Sequence, residues 1–209
     1  MKLILTRPQH DITTRYLFYW AEAIVGLAKT KGIEVFDLAK HKANRVELEG
    51  RVKKLQPELV FLNGHGGDDC VCGHNNEVLI AVGKNHTILG GKITYALSCD
   101  SGKKLGPAVV KEPKTAYIGY ADEFVFVGDS NYTSKLLQDP KARPFMESSN
   151  QVMLSLLKGN SPAEACQRSK NKFREHYLKC LSSTADADSL QIAQFLWWDR
   201  QNQVCLENN

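Results

Sequence analysis

Short apolar runs alternate with longer amphipathic stretches through the first two thirds of the chain. Leu3-Ile4-Leu5 predicts a first strand. Over residues 12–31 the apolar side chains Tyr16, Trp20, Ile24 and Leu27 recur at three- and four-residue steps, which predicts one amphipathic helix. Asp11 is placed to cap it, with Thr13 as a second candidate, and Gly32 to end it. A strand over 33–38 and a charged surface helix over 44–55, closed by Pro57, lead into the apolar run Leu59-Val60-Phe61-Leu62. Strand, helix, strand, helix, strand is the alternation of βαβ units and a parallel sheet. A glycine-rich polar loop over 64–76 and a short apolar segment over 78–82, strand or hairpin, precede a strand over 93–97. A short helix over 101–110 is weakened by Pro107 and stopped before Pro113. A strand over 115–120 follows, which Phe124-Val125-Phe126-Val127 extends beyond a kink.

The remainder reads as helical. A polar loop over 128–144 flanks a helical piece and leads to a helix over 145–158. Ser161-Pro162-Ala163-Glu164 has the cap, first-turn proline and capping-box glutamate of a helix start, and that helix runs to about Cys180. A last helix spans about 185–198, with a polar tail from Gln201. The expected fold is α/β, a mostly parallel sheet flanked by helices. A single domain covers 1–209, with its core in 1–127 and additional C-terminal helices in 128–209.

Composition narrows this picture. In 209 residues, 43% hydrophobic and 24% charged content is ordinary for a globular protein that buries a sizeable core. A formal charge of +4 without a basic block gives no argument for nucleic acid. No apolar run reaches membrane-spanning length, and the N-terminal stretch is better used as a strand than as a secretory signal. The expectation is a cytoplasmic protein with no membrane partner. Its six unevenly spaced cysteines are then free thiols, catalytic groups or metal ligands.

Two strand ends carry candidate chemistry. One runs into Asn63-Gly64-His65-Gly66-Gly67 and the other into Ser98-Cys99-Asp100-Ser101-Gly102. In an open parallel sheet the carboxyl ends of neighbouring strands line one crevice. Neighbouring strands would therefore bring His65 and Cys99 together as base and nucleophile, with the Gly66 and Cys99 backbone amides as oxyanion donors. A helix start after Cys99, with Lys103 and Lys104 close by, would favour a thiolate. Taken singly, Cys99 reads equally as a buried structural thiol and His65 as a loop histidine bonded to backbone. A metal reading competes, because His65, Asp68, Cys70, Cys72 and His74 are zinc-ligand types crowded into one loop. Trp197 and Trp198 read as one core and one partly exposed aromatic, and Cys166, Cys180 and Cys205 as structural.

The pattern Val60-Phe61-Leu62-Asn63-Gly64-His65-Gly66 followed by Tyr95-Ala96-Leu97-Ser98-Cys99-Asp100-Ser101-Gly102 resembles the caspase-like cysteine peptidases, over roughly residues 1–127. The sequence lacks the caspase pentapeptide around the cysteine and is more similar to the CHAT, separase and clostripain-like branch. The resemblance implies a caspase-like α/β/α sandwich and a cysteine endopeptidase working through a His–Cys dyad without a cofactor. In it, Cys99 attacks the peptide carbonyl, His65 protonates the leaving amine, and the Gly66 and Cys99 amides hold the oxyanion. No third catalytic residue is implied. Acidic residues after the strand that follows the cysteine, here Asp122 and Glu123, would select an Arg or Lys side chain of the substrate, with Asp100 and Asp68 near the same crevice. The resemblance also implies a peptide or protein substrate, a separate regulatory or activating partner, and self-cleavage at Lys135, Lys141 or Arg143. A catalytically silent caspase-like module and a zinc-dependent hydrolase on the 65–74 loop are the alternatives.

Overall fold

A computed structural model describes residues 1–182 and 187–208 of the protein. Its main sheet has six strands. In chain order they are β1 (Lys2–Arg7), β2 (Glu34–Ala39), β3 (Leu59–Asn63), β7 (Ile93–Leu97), β8 (Thr115–Tyr120) and β9 (Gln203–Asn208), and across the sheet the order is β2-β1-β3-β7-β8-β9. The first five are parallel and β9 runs antiparallel to β8. A second sheet joins β4 (Gly66–Gly67), β5 (Cys70–Cys72) and β6 (Val78–Ala81), so the glycine-rich loop folds as hairpins.

Alternate residues of the central strands feed two cores. Leu3, Leu5, Phe61, Tyr95, Leu97, Ile118 and Tyr120 face one layer, and Ile4, Val60, Leu62, Ala96 and Tyr117 the other. This is the period of two that a strand imposes, and the strands read as continuous apolar runs because both faces are covered. Helices α1 (Ile12–Trp20), α2 (Glu22–Thr30) and α5 (Arg143–Leu156) cover the first face. Helices α3 (Arg45–Leu55) and α4 (Leu105–Val109) cover the second. Helices α6 (Pro162–Cys180) and α7 (Ala187–Asn202) add a third cluster around Phe145, Phe173, Ile192 and Leu196.

The expected α/β class with its mostly parallel sheet holds, and several local expectations are corrected. The helix expected over 12–31 is two helices that meet at Ala21. Carbonyls at the end of α1 are taken by side chains, Phe18 by Arg7 (3.2 Å) and Trp20 by Asn150 (2.9 Å). The helix expected from residue 101 starts only at Leu105. The amides before it are committed elsewhere, Gly102 to Tyr120 O, Lys103 to Asp100 O and Lys104 to Asp68 O. The segment after β8 does not extend it as a strand, and the polar tail is the antiparallel strand β9. The start expected for the last helix near 185 lies outside the described residues. Trp197 and Trp198 are both exposed, at 43% and 41%.

No helix among the described residues is long and apolar enough to cross a membrane.

Candidate functional site

The chain leaves β1 toward β2 on one side and returns to β3 on the other, so the strand order reverses between β1 and β3. The carboxyl ends of strands at such a reversal form a crevice. Thr6 and Asn63 staple these two ends. The Asn63 N–H donates to Thr6 Oγ1 (3.0 Å) and the Asn63 side-chain amide to Thr6 O (3.0 Å). Asn63 is also in register with Leu97 of β7, so two residues further on His65 and Cys99 stand at the same level on neighbouring strands. Both line one cleft of about 550 Å³, with Ile12, Tyr16, Phe124, Phe126 and Asp129 among its walls.

The glycines around His65 have separate reasons. Gly64 has φ +147°, and a Cβ there would lie 2.1 Å from the Cys72 carbonyl oxygen, because the β4–β5 hairpin folds back against this turn. A Cβ on Gly66 would lie 2.7 Å from the Cys99 carbonyl oxygen, so Gly66 lets the two strand ends touch. Gly64→Ala is therefore expected to destabilise the protein by at least about 2 kcal/mol through backbone strain and the clash. Urea unfolding measures this, and a loss below about 0.5 kcal/mol would contradict the geometry.

His65 has a partner that sequence reasoning assigned only half of its role. Asp11 caps α1 as expected. Its Oδ1 accepts the Thr14 N–H (2.7 Å) and the Thr14 hydroxyl (2.8 Å). Its Oδ2 accepts from His65 Nε2 at 2.6 Å. Burial works against the Asp11 charge, but the Thr14 N–H and His65 together hold its carboxyl at about 2. The carboxylate therefore fixes the ring proton on Nε2 and leaves Nδ1 as the basic nitrogen. The signal that could have found this pair is the position of Asp11 just past the end of β1, beside β3.

Cys99 is not electrostatically activated at rest. Burial pushes its thiol above the ordinary range and the charges of Asp100, Glu123 and Asp199 raise it further, while backbone hydrogen bonding at Phe124 lowers it. The expected helix terminus is absent next to it. The two lysines are also engaged, Lys103 with Asp100 (2.6 Å) and Asp122 (3.7 Å), and Lys104 with Asp68. The features expected to favour a thiolate are therefore absent, and the surroundings of Cys99 favour the neutral thiol. Iodoacetamide labelling of Cys99, followed by mass spectrometry against pH, is expected to stay slow at neutral pH and to rise at higher pH than for an unburied cysteine. A plateau already reached at pH 7 would contradict this.

Cys99 sits on a tight turn. Asp100 adopts φ +60°, and its N–H donates to Asp122 O at 3.0 Å. The Cys99 N–H makes no hydrogen bond with the described residues and is free to donate. Of the acidic residues expected to select substrate, Asp100 and Asp122 share Lys103, Asp68 is paired with Lys104, and Glu123 is exposed. None of these four lines the cleft; the acidic residue that does is Asp129. Asp129 lies on a loop organised by the buried Asp139, which accepts the Asp129 and Lys141 N–H groups (2.8 and 2.9 Å) and the Tyr16 hydroxyl.

The segment from Ala121 to Gly128 crosses the cleft as an irregular strap. Phe124 and Phe126 pack into the cluster formed by α5, α6 and α7. The Val125 N–H donates to Asp199 Oδ1 at 3.0 Å, and Trp198 Nε1 donates to the Glu123 carbonyl at 2.9 Å. Burial pushes the Asp199 carboxyl well above the ordinary carboxylate range, and its Oδ2 has no partner among the described residues.

The alternative metal set in the 65–74 loop does not converge among the described residues. Among the described residues the group of His, Cys, Asp and Glu side chains whose ligand atoms all lie within 4.8 Å of one another is His10, Asp11 and His65. Burial pushes the Cys70 and Cys72 thiols up, Cys72 to about 11. Compared with protein-family models and with curated proteins, the chain matches none.

Proposed function

We propose that the protein is a cysteine peptidase in which Cys99 is the nucleophile, His65 the general base and acid, and Asp11 the residue that orients His65. The observation that carries this reading is the common level of His65 and Cys99 on adjacent strand ends, in one cleft. As Cys99 Sγ bonds to the substrate carbonyl carbon, its proton passes to His65 Nδ1. The carbonyl oxygen becomes an oxyanion facing the Cys99 and Gly66 amides. Collapse of that intermediate breaks the C–N bond, and His65 returns the proton to the leaving amine. Water then attacks the thioester with His65 as base, and Cys99 leaves as the thiol. The raised thiol suits this order, in which the proton moves during attack rather than before it.

The cleft supports a preference for a long basic side chain before the cut bond. Its walls are apolar at Ile12, Tyr16, Phe124 and Phe126 and acidic at Asp129, which suits an aliphatic stem ending in a cation. A panel of Arg, Lys, Asp and Asn peptides, run with the unmodified protein and Cys99→Ala side by side, tests both statements. Equal turnover by the two proteins would overturn the mechanism, and faster cleavage after Asp or Asn would overturn the preference.

A second reading, a caspase-like module that binds a partner without turnover, is favoured by the protonated thiol under the strap. A thiol-reactive peptidyl probe separates the two. The peptidase is labelled at Cys99 faster than a free cysteine is, and the silent module is not.

A further inference from the structure

The peptidase reading leaves His10 without a task, although it sits beside the Asp11–His65 pair. Its Nε2 lies 3.2 Å from Asn76 Oδ1 and 3.5 Å from Asp11 Oδ2, and its ring centre lies 5.9 Å from that of His65. The His10 backbone is fixed by a hydrogen bond from its N–H to Thr14 Oγ1 (3.0 Å), and the Nδ1 side of its ring is buried without a hydrogen-bond partner. Two imidazoles and one carboxylate thus converge from the ends of β1 and β3, each offering an atom within 4.8 Å of the other two.

We propose that His10, Asp11 and His65 bind one zinc ion and that this ion switches the peptidase off. Two imidazole nitrogens and a carboxylate oxygen are a donor set that suits zinc. Tetrahedral bonds of about 2.0–2.1 Å place ligand atoms roughly 3.3 Å apart. The present separations of 2.6 Å (His65 to Asp11) and 3.5 Å (His10 to Asp11) bracket that value, so small side-chain shifts are enough. The inhibitory consequence rests on the peptidase reading and follows from the ring nitrogens. A metal on His65 Nε2 takes the lone pair of a nitrogen that now carries the proton bonded to Asp11. The neutral ring must then carry its proton on Nδ1. With Nδ1 protonated, His65 has no site left for the Cys99 proton, and attack stops. Removal of the ion returns the proton to Nε2 and restores the base.

The test uses the full chain, stripped with a chelator. Titration calorimetry with Zn²⁺ alone, and the visible spectrum of bound Co²⁺, report binding without reference to activity. The expected result is one equivalent bound by the unmodified protein. His10→Ala and His10→Gln are each expected to weaken binding by more than about tenfold. Both variants are expected to keep their zinc-free turnover within about twofold, and to need correspondingly more zinc for inhibition. The double variant Cys70→Ser with Cys72→Ser is expected to bind as the unmodified protein does. No binding by the unmodified protein, or full binding by both His10 variants, would overturn the site. Binding at this site with undiminished peptide turnover would overturn the switch and leave the site standing. Zinc binding lost in the His10 variants of a protein that cleaves no peptide would count against the peptidase reading alone.

Discussion

Cys99→Ala is expected to lower peptide turnover by about ten-thousandfold or more while leaving the fold intact. In the proposed mechanism the substitution removes the atom that forms the acyl intermediate, so neither His65 nor the Cys99 amide compensates. Its structural cost is small. Cys99 is half-buried, and among the described residues its Sγ makes one polar contact, the 3.8 Å approach to the Phe124 carbonyl. The melting transition should therefore shift by no more than about 1 kcal/mol in stability. Parallel measurement of turnover and unfolding checks both halves. A residual rate within tenfold of the unmodified protein would mean that the nucleophile lies elsewhere.

Asp11→Asn is expected to lower kcat by about a hundred- to ten-thousandfold. Asparagine caps a helix as well as aspartate does, and its side-chain oxygen can still accept the Thr14 N–H. What it loses is the charge facing His65 Nε2, and with it the preference for the ring form that leaves Nδ1 basic. Asp11→Ala should lose the same activity and about 1 kcal/mol of cap stability besides. A merely structural Asp11 would separate the two variants, with Asp11→Asn almost fully active. The charge also leaves a mark on acid unfolding. The folded carboxyl is held at about 2 and the unfolded one sits near the ordinary value for aspartate, about 3.9. The stabilisation is therefore complete above the unfolded value and disappears as pH falls through the folded one. The stability difference between the unmodified protein and Asp11→Asn should shrink over that acid window and not near neutrality.

The parts of this site that local sequence displays are the ones set by local rules. His65 and Cys99 were legible because each follows an apolar run cut short by a glycine-marked turn, and because strand–helix alternation makes such runs neighbours. Asp11 was legible as a cap because capping is decided within four residues. Its second oxygen was not, since the contact with His65 exists only once β1 and β3 pair, 54 residues apart in sequence. The same distinction explains the errors. The three-to-four-residue period runs unbroken through Ala21, while the break there is made by Arg7 and Asn150 reaching in from other elements. Lys103 and Lys104 follow Cys99 closely in sequence, but Asp100, Asp122 and Asp68 take their charge. Strand β9 has only Val204 and Leu206 as aliphatic positions, and its identity comes from pairing with β8 rather than from propensity. Phe124 to Val127 has strand composition but spends its aromatics on the C-terminal helices.

The strap across the cleft has a kinetic consequence. Three polar contacts hold it, Phe124 O to Cys99, Val125 to Asp199 and Glu123 O to Trp198, each worth about 0.5–1.5 kcal/mol net. Lifting it would also pull Phe124 and Phe126 from their cluster. Together these favour the docked strap, so any lifted form would be a minor fraction of molecules. Any polypeptide that needs the strap displaced would then be captured at a rate scaled down by that fraction, while a small electrophile that slips beneath it would not. The ratio of those two capture rates is therefore a measure of how often the strap stands open.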